Sequence, residues 1–284
     1  WLSPMTNTFF VTADWLSAHL SDDDIQLIDA RMPPAGQENL RDIHAEFIAS
    51  HLPGALFFDI DALSDHSSPL PHMMPSAEKF SADMQALGVN QEKHLVVYDE
   101  GNLFSAPRAW WMLRTFGANK VSILAGGFHQ WKAQGYELES GMPTPKPASF
   151  SAQFDPTVVK NANDVLLATQ THSAQIVDAR AAARFKGEVP EPRAGLRQGH
   201  IPGSHNVPWG DLVKDGELKS NQELKAIFTA AGVSFEQPII VSCGSGVTAA
   251  VVVLALTTLQ VNGVALYDGS WSEWGANPEL PIEC

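Results

Sequence analysis

Two cysteines occur among the 284 residues, and one of them stands where a nucleophile would be built. Cys243 lies in "PIIVSCGSGVTAAVVVLALTTL" (238–259), where Cys-Gly-Ser-Gly interrupts a dense apolar run. Gly244 and Gly246 permit backbone angles that other residues avoid, so the loop 243–248 can curl until several N–H groups point at one spot. Such a nest attracts an anion, and a helix starting at Thr248 adds its positive end. A thiol held there is favoured as thiolate, the attacking form of cysteine. The bland alternative is a buried cysteine packing as a small hydrophobe; the paired glycines and the loop position argue against it.

The elements that must position this loop follow from a repeat. "QLIDARMPP" (26–34) matches "QIVDARAAA" (175–183), and "HLPGALFFDI" (51–60) matches "HIPGSHNVPW" (200–209), both at an offset of 149. "HLVVYDEGNLFSAPRAWWML" (94–113) matches "PIIVSCGSGVTAAVVVLAL" (238–256) at 144, and "GGFHQW" (126–131) matches "GSWSEW" (269–274) at 143. Four blocks in one order with a drifting offset indicate a tandem duplication of domain-sized units. The second half predicts strands over 174–178, 238–242 and 264–267 and helices over 223–230 and 248–259. Its strands are continuously apolar, as expected of a largely parallel sheet buried on both faces. The fold class is therefore α/β, with two tandem domains, each a largely parallel sheet flanked by helices. We place the N-terminal domain at 1–138, a proline-punctuated linker, "ESGMPTPKPASFSAQFDP", at 139–156, and the C-terminal domain at 157–284. Cys243 then ends a strand at the carboxyl edge of a sheet, where open α/β folds bind ligands. Its counterpart in the first half is Asp99, so that half reads as catalytically silent and the second as reactive.

Composition bounds the rest. A net charge of −14, from 18 basic and 32 acidic residues, argues against nucleic-acid or membrane-surface partners. The longest apolar stretch, 249–256, is far short of a bilayer span. The N-terminus "WLSPMTNTFF" has no signal-peptide pattern; Met5 reads as the natural start, with residues 1–4 a remnant before it. Two cysteines are no disulfide framework, which points to a reducing, cytoplasmic setting. Neither metal-ligand spacing nor a nucleotide-binding glycine motif appears, so no metal or cofactor is expected.

With these residues assembled, the chain resembles the two-domain rhodanese superfamily, and within it the mercaptopyruvate-using branch. The resemblance rests on both Asp-Ala-Arg blocks, both His-[Leu/Ile]-Pro-Gly blocks, "SDHSSPLPHMMP" (64–75), "YDEGNLFSAPRAWWMLRTFG" (98–117), "EPRAGLRQGHIPG" (191–203) and "CGSGVT" (243–248). It implies sulfur transfer from 3-mercaptopyruvate through a persulfide on Cys243 to a thiophilic acceptor: cyanide, a small thiol or thioredoxin. Pyruvate is released. It implies that Arg184 and Arg193 contact the substrate carboxylate and keto group, with Gly244, Gly246, Val247 and Thr248 shaping the loop. Arginine suits a carboxylate because its planar fork donates two charge-assisted bonds. Ser245, His72 and Asp61 are implied as a proton-handling set. For His72 a loop histidine bonded to backbone, and for Asp61 a cap on the turn before "ALSD", are equally open readings of the residues themselves.

Rival functions separate on residues. A thiosulfate-preferring rhodanese would carry basic side chains inside the loop, and Gly-Ser-Gly-Val-Thr has none. A cysteine phosphatase or arsenate reductase needs an Arg closing the loop, and none follows Cys243. A non-enzymatic sulfur-carrier or binding module would keep its partner in Cys243→Ser. Because His51 and His200 recur in both halves, they read as turn elements; Asp29 and Asp178 read as strand-end groups paired with Arg31 and Arg180. Trp110, Trp111, Trp131, Trp271 and Trp274 read as core or interface packing. Arg197 lacks the motif support of the other two arginines, and Cys284 reads as a tail thiol.

Overall fold

A computed structural model describes residues 9–284; the proposed start at Met5 and the remnant before it lie outside the described residues. The chain forms two compact units. The first comprises residues 9–63, Pro75–Phe154 and Asp215–Glu217, and the second Ser64–Met74, Asp155–Lys214 and Leu218–Cys284. Residues 64–74, from the first half of the sequence, thus pack as part of the second unit.

Each unit is built on a five-stranded sheet. In the first, β1 (Phe10–Val11), β2 (Ile25–Asp29), β3 (Leu56–Phe57), β4 (His94–Tyr98) and β5 (Val121–Leu124) lie in the order β1-β5-β4-β2-β3. In the second, β6 (Val159–Lys160), β7 (Gln175–Asp178), β8 (His205–Asn206), β9 (Ile239–Ser242) and β10 (Val264–Tyr267) lie in the order β6-β10-β9-β7-β8. Corresponding strands hold corresponding places, and every neighbouring pair in both sheets is parallel. The duplication read from sequence is therefore a duplication of topology. Parallel pairing requires a crossover between strands, and the helical segments supply it, so the sheets are covered as the apolar strands require.

β9 sits at the centre of its sheet and is buried at all four positions. The helix after it, Ala249–Thr258, is buried from Ala249 to Leu256. A helix apolar all round belongs inside a core. Boundaries shift for local reasons. The helix expected from Glu223 begins at Asn221, because Ser220 and Glu223 form a reciprocal capping box that draws the start back. The predicted strands 174–178 and 238–242 each begin one residue later, at Gln175 and Ile239. Trp131 anchors the core of the first unit, with Phe47, Val96 and Tyr98; Trp271 and Trp274 anchor that of the second, with Ile240 and Tyr267. The proline-rich segment 140–155 has no helix or strand. It lies along the first unit through buried Phe150, edge-on to Phe80, and through Gln153, whose N–H donates to the Phe116 carbonyl at 2.9 Å. Among the described residues no helix is long and apolar enough to cross a membrane.

Candidate active site

The site is assembled at the carboxyl end of β9. Cys243 follows directly and is 1% exposed. The Gly246 N–H points at its Sγ at 3.1 Å. Gly246 adopts φ +84°, which turns its amide inward and which side-chain-bearing residues rarely accept. The Val247 and Thr248 carbonyls accept from Ala250 and Val251, so these two residues lead the loop into the buried helix. The loop is held from below by the segment after β10. Trp271 N–H donates to the Cys243 carbonyl (2.9 Å), and the Ser272 N–H and hydroxyl both donate to the Gly244 carbonyl (2.9 and 2.7 Å). The Cys243 N–H donates to Ser270 Oγ at 3.1 Å, and that hydroxyl donates on to the Tyr267 carbonyl. Sequence reasoning missed Ser270. Its signal was present: in the aligned repeat it replaces Gly127, and both positions are left-handed (φ +50° and +52°). Glycine takes that conformation freely; serine is strained there and uses its side chain to hold the cysteine backbone.

The first unit shows the same loop already filled. Asp99 is buried, and its carboxylate accepts the N–H groups of Gly101 (2.8 Å), Ser105 (3.1 Å) and Ala106 (2.9 Å). Burial pushes its carboxyl above the ordinary range, although these amides favour the anion. The strand-end loop thus brings three amide donors to the Asp99 carboxylate in one unit and the Gly246 N–H to Cys243 Sγ in the other.

Ser245 and His72 meet. His72 Nδ1 lies 2.9 Å from Ser245 Oγ, and both side chains are buried. His72 is carried by a loop that closes on itself through the Asp65 N–H to the Met73 carbonyl (2.8 Å). Buried Asp268 pins it by accepting the Met74 N–H at 2.6 Å. The third expected member, Asp61, is exposed in the first unit, in the turn after β3. The carboxylate capping that turn is Asp59, whose Oδ1 accepts the Ala62 N–H at 3.1 Å.

Arg184 lies in the last turn of the short helix Ala182–Phe185. Its Nη2 lies 3.0 Å from where a Cβ on Gly244 would stand, so the guanidinium rests against the Cys243 loop and would have to give by a few tenths of an ångström for any side chain there. Buried Glu191 takes Arg184 Nε (3.1 Å) and Nη2 (2.5 Å) on one oxygen and Arg180 Nη1 (2.6 Å) on the other. Burial works against the Arg180 cation, but Asp178 and then Glu191 hold its pKa above the ordinary value. Arg193 lies half-buried in the segment that follows. Arg197 is committed elsewhere, donating to the carbonyls of Trp274, Gly275, Asn277 and Leu280.

The recurring residues have structural places. Arg31 pairs with Asp29 and Arg180 with Asp178, all buried. The His51 ring lies 2.9 Å from the Gly141 carbonyl and stacks on Phe47; the His200 ring lies 2.8 Å from the Phe185 carbonyl and stacks on Phe185. Trp110, Trp111, Trp131, Trp271 and Trp274 are buried, while Cys284 is exposed. Among the described residues no cluster of His, Cys, Asp or Glu could hold a metal ion.

Comparison with known proteins shows the family. The sequence matches the rhodanese-like domain family twice, over residues 12–134 and 161–277. It is 61% identical over 279 residues to a 3-mercaptopyruvate sulfurtransferase of Escherichia coli (strain K12), covering 98% of this chain and 99% of that protein. It is 41% identical to a thiosulfate sulfurtransferase of Cricetulus griseus, covering 96% and 94%. The crystal structure of an Escherichia coli 3-mercaptopyruvate sulfotransferase superposes with a TM-score of 0.87 at 60% identity, covering 93% of this chain and 98% of that one.

Proposed function

The chain belongs to the rhodanese-like domain family, and on that premise we propose that it is a sulfurtransferase that takes sulfur from 3-mercaptopyruvate onto Cys243. The thiolate attacks the substrate sulfur; the new S–S bond forms as the S–C bond breaks. The electron pair leaves on the three-carbon fragment as the enolate of pyruvate, which takes up one proton. Ser245 and His72 handle that proton, or the charge it leaves behind. The persulfide sits under the loop amides. A thiophilic acceptor then attacks the outer sulfur and restores the thiolate: cyanide in an assay, a small thiol or thioredoxin in a reducing cytoplasm. Two half-reactions sharing one covalent intermediate give ping-pong kinetics, with no metal or cofactor. Arg184 and Arg193 hold the carboxylate and keto group.

One observation carries this reading: the Gly246 N–H aimed at Cys243 Sγ at 3.1 Å, which suits a sulfur anion. The Ser245–His72 contact and Arg184 against Gly244 supply the remaining chemistry. A second reading, thiosulfate as the preferred donor, is favoured by the likeness to the Cricetulus griseus protein. The loop itself argues against it, because 244–248 carry no cation for a sulfonate. Intact-protein mass spectrometry after adding mercaptopyruvate tests the reading. It expects a gain of one sulfur on the Cys243 peptide together with released pyruvate. An unmodified Cys243 in protein that still turns over would overturn the nucleophile, and sulfur loading from thiosulfate alone would overturn the donor.

A further inference from the structure

The two units share one buried device. Arg31 pairs with Asp29, donates to the Ser50 carbonyl at 2.8 Å and lies over the Phe128 ring at 4.2 Å. Arg180 repeats this with Asp178, the Gly199 carbonyl at 2.8 Å and the Trp271 ring at 4.4 Å. The second unit extends it with Glu191, whose side chain is 1% exposed. This carboxylate links the buried Arg180 to Arg184, and Arg184 lies against Gly244 of the Cys243 loop. A carboxylate so deep in the protein, bound by two guanidinium groups, has consequences for whatever anion Arg184 receives. It fixes Arg184 through Nε and Nη2, leaving Nη1 for a ligand. It also cancels the charge of Arg184: Asp178, Arg180, Glu191 and Arg184 sum to zero.

We propose that Glu191 is a specificity-determining residue: it orients Arg184 beside the Cys243 loop and offsets its charge, so that the site takes a monoanionic carboxylate donor in preference to a dianionic one. The inference rests on the proposed function, in which Arg184 receives the donor's carboxylate. A negative charge at Glu191 repels a dianion twice as strongly as a monoanion at the same distance, so removing it favours the dianion.

The test is Glu191→Gln, which keeps shape and one acceptor oxygen. Its readout is the ratio of kcat/KM for thiosulfate, a dianion, to kcat/KM for mercaptopyruvate, a monoanion. The ratio is expected to rise roughly tenfold. In an Arg184→Ala background the orienting contribution is absent and only the direct repulsion remains, so the same substitution should raise the ratio less than it does in the wild-type background. Glu191→Asp, which keeps the charge, should hold the ratio near wild type and guards against Glu191→Gln failing to fold. A wild type that releases pyruvate, combined with an unchanged or lower ratio in Glu191→Gln, overturns the inference alone. So does an Asp variant whose ratio rises as far as that of Gln. A wild type that releases no pyruvate from mercaptopyruvate overturns the function on which the inference rests.

Discussion

At the scale of single residues, the chemistry is concentrated in a few atoms whose neighbours differ in kind. Cys243 Sγ is faced by the Gly246 amide, Ser245 by a histidine ring, Arg184 by a carboxylate. Cys243→Ser should lower turnover at least about a thousandfold, since an alcohol cannot carry the sulfur. Loss of pyruvate release with retained folding, read by circular dichroism, checks this. His72→Gln and Ser245→Ala should each lower kcat about a hundredfold. The double variant should be little worse than either, because groups that act as a unit are not additive. Double-variant losses equal to the product of the singles would mean that the 2.9 Å contact does not operate in turnover.

Loops at strand ends set the next scale, and the two copies are mutual controls. In the first unit Asp99 satisfies three amides. Asp99→Ala leaves those donors without their acceptor inside a buried loop, each at about 1–3 kcal/mol. We expect the first unit to lose about 3 kcal/mol or more in urea unfolding, and Asp99→Asn, which keeps an acceptor oxygen, to lose far less. Equal losses would show that the amides do not depend on that oxygen. In the second unit, Gly246→Ala forces a side chain onto φ +84°, at about 1–2 kcal/mol, and moves the N–H that faces Cys243. Alkylation of Cys243 by iodoacetamide at neutral pH should slow about tenfold, while unfolding free energy falls by no more than that strain.

For the molecule as a whole, stability carries a pH dependence that the site does not set. His94, at the start of β4, is partly buried beside Ser122. Burial first, and Lys120 second, push its pKa down. The unfolded chain therefore binds this proton more readily than the folded one, and stability falls as pH drops through the ordinary histidine value near 6.5. Unfolding free energies measured between about pH 7.5 and about pH 5.5 should decline more steeply in wild type than in His94→Gln. Parallel slopes would remove His94 as a cause.

The sequence alone determined the duplication, the parallel α/β architecture and the exchange of Asp99 for Cys243 between the copies. Each of these is a pattern of side-chain types along the chain: repeated blocks, continuously apolar strands, a Cys where its partner copy has Asp. It also supported the pairing of Asp29 with Arg31 and of Asp178 with Arg180, because those partners are two residues apart. Only the tertiary structure decided where Ser64–Met74 packs, which brings His72 to Ser245 across 173 positions. The same holds for Ser270 beneath Cys243 and Glu191 between two arginines. A hydroxyl or a carboxylate has no periodicity to betray it. Its role is fixed by which donors the folded chain places within about 3 Å, a distance that spacing along the chain does not encode.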